Sequence, residues 1–148
     1  MHSRGAHLVD LTPAVTLIQH WEGCVLHAYQ DPVGIWTIGY GTTLNVHPGQ
    51  TCTKEEAIGW LKMDAAKCAE QIESMAPELT NNELCALVSL SYNIGLSALR
   101  HSQIMKGIEA GIPKIDIADH FMDWIHAGGR VLPGLVARRK EERLLFLS

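Results

Sequence analysis

The order of apolar and polar positions divides the chain into a short helix, a small region of strands and a long helical remainder. Val15, Ile18 and Trp21 recur at the spacing of one helix face. Thr12-Pro13 precedes them, which predicts Thr12 as N-cap and Pro13 as the first helical residue. Gly23 is the stop, so Glu22 falls at the helix end, on a rigid element. The period then changes. Residues 26–29 read as a short strand, Asp31-Pro32-Val33-Gly34 as a turn, and the β-branched and aromatic run 35–38 as the returning strand. Gly39-Tyr40-Gly41 follows, where glycine permits sharp bends and close backbone approach.

From residue 53 onward helical spacing dominates. Thr53 with Glu56, and Thr80 with Glu83, carry the signature of a capping box. The first opens a helix to about Met75, with Ala57, Trp60, Leu61, Asp64, Cys68 and Ile72 as its inward stripe. Asp64 is the polar exception in that stripe. After Pro77 the second opens a helix over 81–93 that is apolar on most sides, the mark of a core helix. Residues 96–100 and 102–110 read as short helices, the latter stopped by Gly111. Pro113 opens another to about Ile125. Asp119 and Asp123 sit at i, i+4 on it and are expected to face solvent. Gly128-Gly129 supplies a turn, and Pro133 starts the last helix, with Leu135, Val136, Leu144 and Leu145 as its expected apolar side. Residues 1–11 carry no pattern and are expected to be a loose end. With no linker or repeat, residues 1–148 read as one domain.

Composition narrows the picture. A chain of 148 residues, 47% apolar and 19% charged, fits an ordinary globule with one core. No apolar run approaches the roughly 18–20 residues that span a bilayer, and the N-terminus lacks an apolar stretch of signal-peptide length. The expectation is cytoplasmic synthesis, with another factor needed for release. Residues 1–97 hold 4 Lys/Arg against 10 Asp/Glu, net −6, and residues 98–148 hold 8 against 6, net +2. This is no obvious nucleic-acid binder. Cys24, Cys52, Cys68 and Cys85 form no C-x-x-C, and the 8 His show no ligand spacing, so no metal site and no cofactor are expected. Cys68 and Cys85 fall on apolar helix faces and are expected to be buried thiols. Cytoplasmic synthesis argues against disulfides.

The chemistry concentrates in residues 22–43. Glu22, Asp31 and Thr37 can reach one cleft, and two carboxylates beside a hydroxyl suit glycoside hydrolysis. Partial burial and a helix C-terminus favour a protonated Glu22 as the acid, and a polar turn favours an ionised Asp31. Thr37 can hold a water against Asp31.

The pattern EG-x-x-L-x-AY-x-D-x-x-G-x-x-TIGYG resembles the phage-type lysozymes, or endolysins, of glycoside hydrolase family 24. The resemblance extends over roughly residues 14–146, through LVSLSYNIG and WIHAGGRVLPGLVARRKEER. It implies a lysozyme-like α+β fold, a small antiparallel sheet lobe beside a mainly helical lobe with the cleft between them. It implies that Glu22 is the general acid and that Asp31 and Thr37 position the attacking water. The implied substrate is the β-1,4 bond between N-acetylmuramic acid and N-acetylglucosamine in peptidoglycan, the outcome host cell lysis. Tyr29, Asn93 and Arg138 are the candidate substrate-binding and supporting residues. Asn93 either meets the acetamido group of a sugar or simply ends its helix before Gly95. Arg138 or Arg139 either reaches the catalytic carboxylates or belongs to a solvated basic face with Glu141 and Glu142. Thr42 departs from the pattern, since many relatives carry His there. Two rivals remain, a lytic transglycosylase using Glu22 alone and a non-catalytic wall-binding domain. The protein is expected to be a monomer. Its last helix (Arg138, Arg139, Lys140 and Arg143 beside Leu144, Leu145 and Phe146) offers a weak contact for an anionic outer membrane.

Overall fold

Helix α1 (Thr12–Glu22) starts one residue earlier than expected, at the residue expected to be its cap. In the computed structural model, which describes residues 9–148, Thr12 is already helical and Leu11 is the cap position. The capping group is the carboxylate of Asp10, whose Oδ1 accepts from Thr12 N at 3.0 Å. Asp10 is itself held by Asn81, whose side chain accepts from Asp10 N at 3.0 Å and donates to Asp10 O at 2.8 Å. Of the stretch expected to be loose, residues 1–8 lie outside the described residues. Val9 and Leu11 pack against the core.

Strands β1 (Val25–Gln30) and β2 (Trp36–Gly39) form the expected antiparallel hairpin. The return strand begins one residue late because Ile35 N is used inside the turn, donating to Asp31 Oδ1 at 2.8 Å. The register slips between Val25 and Tyr29, and the stretch thus set free bridges Thr51 through His27. Helix α2 (Lys54–Met75) leaves this region with the Thr53–Glu56 capping box formed in both directions. Its buried stripe is Ala57, Leu61, Ala65, Ala69 and Ile72. Trp60, Asp64 and Cys68 lie only partly buried on the adjoining flank.

Helix α3 (Asn81–Ile94) opens on the second capping box and buries every residue from Leu84 to Ser91. It packs against α1, α2 and α7 (Pro133–Leu147), so the core lies around it. Helices α4 (Leu96–Arg100), α5 (Gln103–Ala110) and α6 (Lys114–Asp119) close the far side. The helix expected to reach Ile125 stops at Asp119 and tightens into a 3-10 turn, His120–Asp123. That geometry eclipses i and i+3, and the His120 ring pairs with Asp123 at 2.9 Å. Asp119 faces solvent as expected and meets Arg143 at 2.7 Å. A second hairpin, β3 (His126–Ala127) with β4 (Arg130–Val131), turns on Gly128-Gly129, both at positive φ.

The last helix differs most from expectation. Its buried residues are Arg138, Arg139, Glu142 and Phe146, while Leu144 is 71% exposed. Of the apolar side read from Leu135, Val136, Leu144 and Leu145, Leu145 packs against the core, Leu135 and Val136 are only partly buried, and the face that enters the core most deeply is the charged one. Arg138, Arg139 and Phe146 are likewise withdrawn from the surface offered for membrane contact. Among the described residues no helix is long and apolar enough to cross a membrane.

Candidate active site

The turn of the first hairpin fixes two of the three candidate residues through the backbone of one residue, Ile35. Asp31 Oδ1 accepts from Val33 N at 3.0 Å and from Ile35 N at 2.8 Å. Asp31 N donates to Ile35 O at 2.9 Å. Thr37 Oγ1 donates to the same Ile35 O at 2.9 Å. The carboxylate keeps Oδ2 unclaimed by these bonds. The Thr37 hydroxyl, with its proton committed, keeps its lone pairs to accept from a water. Tyr29 stands directly opposite Thr37 in the register, so the two side chains leave the same face of the hairpin.

Glu22 stands where α1 runs into β1, at the base of that hairpin. The segment after β2 passes beside it through Gly41, which lies at φ 90°. A side-chain carbon at Gly41 would lie 3.7 Å from Glu22 Oε1 and 3.8 Å from the Tyr92 ring. At Gly39 it would press on Ala57 of α2 at 3.1 Å. Gly39 therefore lets the sheet lie against α2, and Gly41 supplies the left-handed backbone with which the chain passes Glu22. Tyr92 Oη closes the arrangement by donating to Tyr40 O at 2.6 Å. Burial, reinforced by the charges of Asp64 and Glu22, holds the Tyr92 phenol far above its ordinary pKa, so it stays a neutral donor.

The side chain of Glu22 is 25% exposed, and its Oε2 takes a charge-assisted bond of 2.6 Å from Arg138 Nη1. The guanidinium is fixed at two further points, Nη2 on Ser89 O at 3.0 Å and Nε on Glu142 Oε2 at 3.1 Å. Of the two readings of this helix, the geometry takes the first: Arg138 reaches Glu22, and the pair with Glu142 is internal. Arg139 lies 3.0 Å from Glu142 Oε1 through Nη1, and its Nη2 donates to Asn93 Oδ1. Asn93 is exposed at the end of α3 and lines a cavity of about 410 Å³ with Trp124, His126 and Leu135. With its oxygen taken by Arg139, the Asn93 amide is fixed as a donor. Only the second of those readings places Glu142, on a solvated face, and the structure buries it; Ser89 carries no signal in the sequence reading. The available signal was the i, i+4 series Arg138, Glu142, Phe146, which puts both charges on the face of a large aromatic.

Burial pushes the Glu142 carboxyl up, against the pull of Arg139, the Ser89 hydroxyl and Arg138. Burial likewise lowers Arg139 against the pull of Glu142. Both directions express the cost of enclosing charge. Among the described residues no group of His, Cys, Asp or Glu is arranged to hold a metal ion.

The profile of the phage lysozyme family matches residues 19–142. An endolysin of Acyrthosiphon pisum secondary endosymbiont phage 1 is 38% identical over 139 residues, covering 90% of this chain and 94% of that protein. An endolysin of Bacillus phage B103 is 36% identical over 90% of this chain, which spans only 52% of that longer relative. Among solved structures, the muramidase domain of SpmX from Asticaccaulis excentricus matches with a TM-score of 0.87 at 33% identity, over 96% of this chain and 99% of that one. Fold and kinship together define a lysozyme-type glycoside hydrolase with an α+β architecture. The chain belongs to the phage lysozyme family.

Proposed function

We propose that this protein is an endolysin-type muramidase that hydrolyses the β-1,4 bond between N-acetylmuramic acid and N-acetylglucosamine in peptidoglycan. The observation that carries the reading is a pair of anchored acids at the two ends of one hairpin, Glu22 at the end of α1 before β1 and Asp31 in the turn after it. Glu22 is held by Arg138 at its base, and Asp31 is locked with Thr37 through Ile35 in its turn. Glu22 gives its proton to the glycosidic oxygen as the bond to the muramic C1 breaks. Positive charge builds on that ring. A water that donates to Asp31 Oδ2 and to Thr37 Oγ1 attacks C1 from the opposite face and passes its proton to Asp31. This sequence inverts the anomeric carbon, the outcome associated with carboxyl groups about 6.5–9.5 Å apart. Arg138 orients Glu22 through Oε2, which leaves Oε1, on the Gly41 side, to face the leaving oxygen. Tyr29 and Asn93 contribute to glycan binding, Asn93 as a donor to a carbonyl oxygen. The protein acts as a monomer on the wall after release from the cytoplasm by another factor.

The test is mass spectrometry of muropeptides released from purified peptidoglycan, with Glu22→Gln as the control. Reducing muramic ends from the parent, and a loss of about 10²–10⁴-fold in the variant, support the reading. Anhydro-muramic ends would instead assign a lytic transglycosylase and remove the water-holding role of Asp31 and Thr37. No soluble product from a folded parent would assign a binding domain.

A further inference from the structure

Glu142 takes no part in the steps above, yet among the described residues it is the one fully buried carboxylate, at 0% exposure. Its Oε2 accepts from Ser89 Oγ at 2.5 Å and from Arg138 Nε at 3.1 Å, and its Oε1 lies 3.0 Å from Arg139 Nη1. Two paths leave from it. Arg138 continues to Glu22 Oε2 at 2.6 Å. Arg139 continues to Asn93 Oδ1. Enclosing a carboxylate between two guanidinium groups is expensive, and apolar side chains of similar volume often stabilise a core as well or better. The arrangement is better explained by what its two ends hold.

We propose that Glu142 is a positioning residue for the reaction: it fixes Arg138 on the acid Glu22 and Arg139 on the substrate-facing Asn93, so that acid and sugar-binding amide are set by one buried charge. This rests on the assignment of Glu22 as the acid. Arg138 is shared between two carboxylates, and Glu142 draws off part of its field. Without that share Arg138 would act on Glu22 alone and favour its anion, which cannot donate a proton. The charged and titratable groups around the pair are Arg138 and Arg139 from α7, Glu22 from α1 and the neutral Tyr92 phenol from α3, with Asp64 of α2 beyond it.

The experiment compares Glu142→Gln and Glu142→Asp with the parent in turnover of soluble peptidoglycan fragments across pH, each variant first confirmed folded by circular dichroism. Glu142→Gln should lower kcat about tenfold and move the alkaline limb of the pH profile about one unit toward acid, because the acid loses its proton earlier. Its KM should rise as Asn93 loses its anchor. Glu142→Asp keeps the charge with a shorter reach, so it should restore the limb while kcat stays low. A profile for Glu142→Gln that superposes on the parent's, with kcat within twofold, overturns the proposal. If Glu142→Gln does not fold, Ser89→Ala, which leaves every charge in place, serves instead: a kcat loss of about threefold supports the proposal and an unchanged kcat overturns it. If the parent has no activity, the functional reading fails separately. Carbon-13 NMR titration of the Glu22 carboxyl in parent and variant then still decides, a shift toward acid supporting Glu142's role and no shift ending it.

Discussion

Ile35 serves the site with its backbone, not its side chain. Its N–H holds Asp31 and its carbonyl accepts from Thr37, while the side chain stays at the surface. This makes Thr37→Val a clean probe. The hydroxyl is lost at nearly constant shape, and Ile35 O remains satisfied by Asp31 N at 2.9 Å. The expected stability cost is therefore small, about 0.5–1.5 kcal/mol, while turnover should fall at least about tenfold because the water loses an acceptor. Thermal denaturation beside a muropeptide release assay checks both halves. Gly41→Ala probes the opposite end of the hairpin. At φ 90° an alanine is strained, and its side chain would stand 3.7 Å from Glu22 Oε1. A loss of about 1–2 kcal/mol is expected, read as a lowered Tm together with weakened activity. Both residues were legible in the sequence, because a turn and the residues that pin it lie within a few positions of one another. The buried role of Glu142 was not, because it depends on Ser89 of α3 and, through Arg138, on Glu22 of α1, both far away in the chain.

At the scale of elements, the capping boxes of α2 and α3 and the Pro start of α7 could be placed from sequence because each depends on neighbours three or four residues apart. The face of α7 could not. A helix dense in Arg, Lys and Glu reads as solvated along its charged side, and the leucines are then taken as the buried stripe. The structure reverses this locally, because Glu22 and Ser89 offer partners that make the charged side the inner one. Two substitutions measure the difference. Phe146 is 1% exposed and its ring meets that of Phe121 at 5.4 Å, so Phe146→Ala should cost about 3–5 kcal/mol. Leu144→Ala, two residues earlier, should stay within about 0.5 kcal/mol. Urea denaturation of the two variants side by side is sufficient, and comparable losses would return Leu144 to the core.

Across the whole molecule, the three arginines of α7 are each drawn onto an acid. Arg138 joins the acidic first part of the chain to the second through Glu22, Arg139 is buried with Glu142, and Arg143 is spent on Asp119. Asp64, an acid of the first part, has instead a cation on its own helix, Lys67. Asp64 lies partly buried on α2, beside a cavity of about 240 Å³ that it shares with Thr42, whose hydroxyl is buried without a hydrogen-bond partner among the described residues. Burial raises the Asp64 pKa above its ordinary 3.8, and Lys67 only partly opposes this. The folded chain thus binds this proton more tightly than the unfolded chain. Its favourable contribution is complete below the unfolded value and is lost as pH rises through the folded one. At neutral pH the charge on Asp64 works against folding. Asp64→Asn should therefore raise Tm at pH 7, and the gain should shrink as pH is lowered and vanish near 3.8. Because the chain carries a net −4, part of any gain could come from lowered self-repulsion. Glu70→Gln, at an exposed position of the same helix, removes an equal charge without the burial and supplies the control. A gain for Asp64→Asn no larger than that of Glu70→Gln would mean that Asp64 is fully solvated in the working molecule.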